Sequence, residues 1–237
     1  PSYPEDINIT MGYPLKYTRE YSFIKRLLEM QRKARTEGDI FLFEHEDIER
    51  IITDDLISGI LGDRDKQISQ KIITGNLFRV PSDLFSGSEL LSKIFSIPGS
   101  PAGLSDYLKD ILMRIMSGIK EEGERSGNDS ALTRLKNEFI YRILLSLNRL
   151  DGVASSPEIK ITVSTWTRIL ERLLNEQSVP FSGEPLSGIQ VMGILESRAL
   201  DFRNIIMLSV NEGVLPSLTS SSSFIPFSLR EAFGLPS

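Results

Sequence analysis

Ile189-Gln-Val-Met-Gly-Ile-Leu-Glu-Ser-Arg-Ala-Leu-Asp-Phe-Arg-Asn-Ile-Ile-Met-Leu-Ser-Val-Asn-Glu-Gly-Val-Leu-Pro216 is the stretch on which the fold reading turns. Two near-continuous β-prone runs, Ile189 to Ile194 and Asn204 to Val210, enclose a charged connection, Leu195 to Arg203. Asn211-Glu212-Gly213-Val214-Leu215-Pro216 then closes the pattern with a turn signal. Apolar runs without polar alternation mark strands covered on both faces, as in the parallel sheets of α/β proteins. The expectation is two strands of such a sheet with the charged connection at one edge, where open α/β sheets hold their ligands.

The rest of the chain bounds what that edge can do. With 237 residues, 40% hydrophobic and 25% charged, it has the make-up of an ordinary globular protein able to bury one substantial core or two modest ones. Cysteine is absent and His45 is the single histidine. Disulfide frameworks, thiol nucleophiles, zinc clusters and most histidine-based catalysis are therefore set aside. The net charge of -5 and pI near 5.2 speak against a strong non-specific nucleic-acid binder, so any DNA contact must be local. No apolar run approaches the roughly 18 residues of a membrane span, and no charged-then-apolar leader opens the chain. The expectation is a cytoplasmic protein without a membrane partner; the start at Pro1 reads as a portion of a longer polypeptide.

Asp6 to Met11 is a short alternating β-prone run, stopped by Gly12-Tyr13-Pro14. From Tyr17 to about Arg35, Tyr17, Tyr21, Ile24, Leu27, Leu28 and Met30 recur at helical spacing, and Arg19, Arg26 and Lys33 form a basic stripe seven residues apart. That stripe reads either as a phosphate-tracking surface, with Arg26 and Lys33 as DNA contacts, or as a plain solvated face. Ile40 to Phe43 is a strand or the start of a helix, and Glu46 to Ile52 is helical. Gly59 to Phe85 reads as irregular, and Ser88 to Phe95 as a short helix. Leu104, Tyr107, Leu108, Ile111, Leu112, Ile115, Met116 and Ile119 give one long stripe. Leu132, Leu135, Phe139, Ile143, Leu147 and Leu150 give a second, and the short connection between them predicts an antiparallel helical pair. Val163, Trp166, Ile169, Leu170, Leu173 and Leu174 make a third helix ending near Pro180. Strand-like ends thus enclose a helical middle.

Arg198-Ala199-Leu200-Asp201-Phe202, followed by a strand-like run and Asn211-Glu212-Gly213-Val214-Leu215-Pro216, resembles motif V of superfamily 1 DNA helicases of the UvrD and RecB type. There a strand leads into a Lys-Gly-Leu-Glu-Phe loop, a second strand and a Glu-Gly-x-x-Pro turn. The wording from Gly193 to Phe202 is most similar to AddB-type helicase-nucleases associated with PD-(D/E)XK nucleases. Asn8-Ile9-Thr10-Met11-Gly12-Tyr13-Pro14-Leu15 resembles the segment that opens their second helicase half. The resemblance implies an α/β fold: a partial RecA-like parallel sheet of helicase domain 2A, carrying a large, mainly α-helical 2B-like insertion. Residues 1–16 and 182–237 would form the discontinuous 2A-like domain and 17–181 the insertion, so Ile7 to Met11 would join Ile189 to Ile194 and Asn204 to Val210 in one sheet.

By the same resemblance the chain would engage DNA, single-stranded or at a duplex end, within a bacterial DNA repair helicase-nuclease. Its partners would be the flanking helicase and nuclease domains and a further subunit. Ser197, Arg198 and Arg203 are the candidate backbone contacts, because a guanidinium is a planar, permanently charged donor suited to phosphate oxygens. Glu196, Asp201, Asn211, Glu212 and Gly213 would shape the loop and turn. An Arg198 held by Glu196 or Asp201 as a purely structural clamp stands beside that reading. Leu195, Arg198 and Ala199 replace the histidine, lysine and glycine of active helicases, which argues against ATP coupling. No G-x-x-x-x-G-K-[ST] loop occurs in the chain, so no ATP site and no cofactor is expected in it, ATP and Mg²⁺ belonging to the parent protein. Two further functions stay open: an interaction scaffold suited to the acidic balance, and a metal nuclease using Glu158-Ile159-Lys160 with Asp151. His45 between Glu44 and Glu46 reads as a surface residue, and Trp166 as core rather than a base-stacking platform.

Overall fold

In this computed structural model, residues 7–9, 11–75, 77–126, 131–154, 161–179, 189–194, 197 and 200–211 are described. The elements in chain order are β1 (Ile7–Ile9), β2 (Tyr13–Pro14), α1 (Arg19–Lys33), β3 (Arg35–Glu37), β4 (Ile40–Glu44), α2 (His45–Ile52), α3 (Asp55–Ser58), α4 (Asp63–Thr74) and β5 (Arg79–Pro81). They continue with α5 (Glu89–Ile94), α6 (Pro101–Ser126), α7 (Ala131–Ala154), α8 (Val163–Glu176), β6 (Ser178–Val179) and β7 (Ile189–Val191). Short 3-10 turns cover Leu15–Tyr17 and Ser82–Phe85. The chain divides into two compact units, Pro1–Gly193 and Ile194–Ser237.

The larger unit is an α/β body dominated by helices. β1 and β7 pair in parallel, with Ile7 opposite Ile189, Asn8 opposite Gln190 and Ile9 opposite Val191. Everything between those strands in sequence is therefore an excursion that leaves one strand and returns to its neighbour. A second pairing closes the neck of the excursion: β2 runs antiparallel to β6, Tyr13 facing Val179 and Pro14 facing Ser178. The Leu15 amide continues this contact by donating to the Gln177 carbonyl at 2.9 Å. Glycine at position 12 allows this close approach, since a Cβ there would lie 2.7 Å from Ser178 Oγ.

Beyond the neck, α1 begins where the Thr18 hydroxyl accepts from the Tyr21 amide, an N-cap that satisfies one free amide of the first turn. Its inner face buries Phe23, Ile24, Leu27, Leu28 and Met30, whereas Tyr17, grouped with that stripe from its spacing, is exposed. α6 and α7 bury Leu104, Leu108, Ile111, Leu112 and Ile115 on one side and Phe139, Ile140, Ile143, Leu147 and Leu150 on the other, the long stripes expected of a helical pair. At the start of α7 the stripe fails, and Leu132 is 61% exposed. Trp166, Leu170 and Leu174 seal α8 into the same core.

Three segments differ from the sequence reading. The stretch expected to be irregular contains α4, begun by the Gly62 amide donating to Asp65 Oδ2 at 3.0 Å and anchored by Ile72. β3, β4 and β5 form an antiparallel sheet inside the helical middle. Its inner residues Phe43 and Val80 face each other across the ladder, and Gly38 turns the hairpin at a φ of 61°. Asn204 to Val210, expected as a strand, is not one: among the described residues it pairs with no other segment. Ile205, Ile206, Met207, Leu208 and Val210 are all exposed, Ile206 by 88%. An apolar run becomes a strand only where a neighbour supplies ladder partners for its amides and carbonyls.

Candidate nucleic-acid interface

The charged connection follows β7. Ser197 donates its hydroxyl to the Ile194 carbonyl at 2.8 Å, and the Leu200 amide donates to the Ser197 carbonyl at 3.3 Å, so the loop starts as a turn. Asp201 and Arg203 are exposed and Phe202 is half-buried. Asn211 donates its amide to the Ser209 carbonyl at 3.0 Å, and Ser209 sits at a φ of 59°. Glu196, Arg198, Glu212 and Gly213 lie outside the described residues. Of the expected loop contacts, the structure thus places Ser197 and Arg203.

The basic stripe of α1 has partners along its length. Arg19 pairs with Asp55 at 2.5 Å, Arg26 with Asp54 at 2.5 Å, and Lys33 with Asp47 at 3.1 Å and Glu44 at 3.6 Å. All three cations face carboxylates contributed by β4, α2, the N-cap of α3 and α3 itself, forming a ladder that staples α1 to the following segments. Asp54 is the most committed acid: its side chain is 6% exposed, and it also caps α3 by accepting from the Leu56 amide at 3.0 Å. The hydrogen bond to Asp47 raises the Lys33 pKa, and that to Asp55 raises the Arg19 pKa. A shallow cleft of about 600 Å³ opens beside the ladder, lined by Arg19, Arg26, Arg50, Glu29, Asp54 and Asp55 with Thr53. Its cations and carboxylates balance in number, so its lining carries no net positive charge to draw in a phosphate.

Other candidates fall into structural places. Asp151 lies in α7 and pairs with Lys109, while Glu158 and Lys160 lie outside the described residues. His45 is only partly at the surface. It opens α2 half-buried, its Nδ1 shielded from solvent without a hydrogen-bond partner, and its amide donates to the Phe78 carbonyl at 3.3 Å. The β4–β5 ladder that draws His45 inward could not be seen from its charged neighbours. Trp166 is fully buried, as its apolar stripe indicated.

A further cluster lies just ahead of α1. Tyr13 (39% exposed) and Tyr17 (66% exposed) flank Lys16, whose Nζ lies 5.0 Å from the Tyr17 ring centroid. Leu15, between them, is wholly buried, and the Tyr13 ring lies 5.9 Å from that of Phe139. The available signal was an interleaved aromatic-basic spacing, hidden because Tyr17 also fits the apolar stripe of α1. No family model, curated protein or solved structure matches the chain.

Proposed function

We propose that this chain is a 2A-like region with a 2B-like helical insertion from an AddB/RecB-type helicase-nuclease, and that it engages DNA without hydrolysing ATP itself. The observation that carries this reading is the parallel register of Ile7–Ile9 with Ile189–Val191 on either side of the helical body. It supports the layout that the two sequence resemblances imply, in which a helical subdomain leaves and re-enters one sheet. The closed neck at Tyr13–Pro14 and Ser178–Val179 supports an insertion rather than a serial arrangement of domains. DNA contact is assigned to Ser197, Arg198 and Arg203 of the connection. The paired cations Arg26 and Lys33 are secondary, because reaching a phosphate would require them to leave their carboxylates.

Fluorescence anisotropy with a labelled single-stranded oligonucleotide at two salt concentrations tests the reading. Phosphate contacts predict affinity that falls steeply with salt and drops on Arg198→Ala. Absence of binding at low salt would defeat it. A second reading, an interaction scaffold, is favoured by the exposed run Ile205 to Val210, since a contiguous apolar surface of that kind marks a protein contact. It predicts no salt-dependent DNA binding.

A further inference from the structure

We infer that the Tyr13–Lys16–Tyr17 turn is a stacking contact for single-stranded DNA, with Tyr17 as the base platform and Lys16 as the phosphate partner. The inference rests on the DNA-binding reading above and adds to it a site on the larger unit.

Three observations converge on this turn. The first is its chemistry. Two partly exposed rings flank an exposed lysine within five residues, and the lysine already lies over one ring face. Aromatic faces beside cations are the elements from which sequence-tolerant single-strand sites are built, because every base offers a π-face and every nucleotide a phosphate. Charge complementarity favours an anionic occupant, as no carboxylate forms a salt bridge with Lys16 among the described residues.

The second is rigidity. Leu15 is a wholly buried anchor, its amide is fixed to the Gln177 carbonyl, and the Thr18 hydroxyl donates to the Leu15 carbonyl at 2.7 Å. The turn is held from both sides while Lys16 and Tyr17 project outward, so little ordering remains for a ligand to impose. The third is position. The turn comes directly after β2, so the β2–β6 pairing sets it at the neck where the chain enters the helical body.

The test uses the 237-residue chain and an oligothymidylate carrying one 5-iododeoxyuridine. Expected are a photo-cross-link mapping to the Tyr13–Tyr17 peptide, a loss of affinity of about five- to a hundredfold for Tyr17→Ala, and retention for Tyr17→Phe. Lys16→Gln should reduce the slope of log affinity against log salt by about one phosphate contact. Tyr17 is exposed, so unchanged thermal unfolding of each variant separates lost binding from lost structure. If the wild type binds and Arg198→Ala weakens it while Tyr17→Ala and Lys16→Gln behave as wild type, the inference is overturned and the loop assignment stands. If the wild type binds no oligonucleotide, both fall together.

Discussion

Substituting Gly12 by alanine probes the neck, where β2 and β6 close the excursion between β1 and β7. An added Cβ would sit 2.7 Å from Ser178 Oγ, 2.9 Å from Ser178 Cβ and 3.4 Å from the Val179 carbonyl oxygen. Ordinary carbon contacts fall at roughly 3.5 to 4.0 Å, so β6 or β2 must shift by something near 1 Å. Overpacking of this kind costs about 1 to 3 kcal/mol. Gly12 lies outside the left-handed region, so alanine also recovers about 0.4 to 1 kcal/mol by restricting the unfolded chain. Taking the middle of each range, the net loss is about 1.3 kcal/mol, a fall in Tm of roughly 3 to 5 °C for a domain of this size. Circular dichroism melts would report that fall. Amide hydrogen exchange at Leu15, whose N–H is held by the Gln177 carbonyl, would report the opening of the neck itself. Ser178→Gly removes both close atoms, and combined with Gly12→Ala it should restore most of the loss as a positive coupling in a double-mutant cycle. An unchanged or raised Tm with unchanged Leu15 protection would refute the close approach of β2 and β6.

The ion-pair ladder should be unequal along its length. Arg26→Ala strands the almost buried Asp54 carboxylate and should cost about 1 to 3 kcal/mol in urea melts, whereas Arg19→Ala breaks an exposed pair and should cost less than about 1 kcal/mol. Glu20 is buried, and desolvation raises its pKa despite Lys136 and Arg19 nearby. Its charged form is therefore disfavoured in the folded state. The stability contributed by the protonated carboxyl is complete below the unfolded-state pKa and is lost as pH rises through the raised folded-state value. Glu20→Gln should thus be more stable than wild type near neutral pH, with the difference shrinking as the solution is acidified; a constant difference across that range would contradict the burial. Trp166 is fully buried, and its Nε1 has no partner. Trp166→Ala should cost about 3 to 5 kcal/mol, whereas Trp166→Phe, which leaves a smaller cavity and removes the unpartnered N–H, should cost clearly less. Blue-shifted emission shielded from acrylamide should identify the buried indole.

The long helices were legible in the sequence because their apolar positions repeat over several turns: Leu104 to Ile115, Phe139 to Leu150 and Trp166 to Leu174 all point inward. Shorter or less apolar elements were not. β3 consists of Arg35, Thr36 and Glu37, and it is a strand only because Thr36 lies opposite Phe41 across a glycine turn. α4 has a sparse buried face, Ser69 and Ile72, and its start depends on the Asp65 carboxylate. Periodicity separated Arg19, Arg26 and Lys33 from the core, but not their partners, because Asp47, Asp54 and Asp55 are brought to α1 by tertiary folding. Hydrophobicity alone made Asn204 to Val210 a strand, and exposure of that run shows that composition cannot supply a ladder partner. No local pattern links Ile7–Ile9 to Ile189–Val191, residues so far apart that only the resemblance makes their pairing legible in the sequence.

That pairing can be measured directly, helped by the absence of native cysteine. Asn8→Cys with Gln190→Cys places two thiols at directly opposed positions, and Ile7→Cys with Val191→Cys places them two residues out of register. Under mild oxidation the first pair should form an intramolecular disulfide rapidly and nearly completely, seen as a gel-mobility shift reversed by reductant, while the second should lag far behind. Equal rates for the two pairs, or no disulfide in the first, would contradict the parallel register.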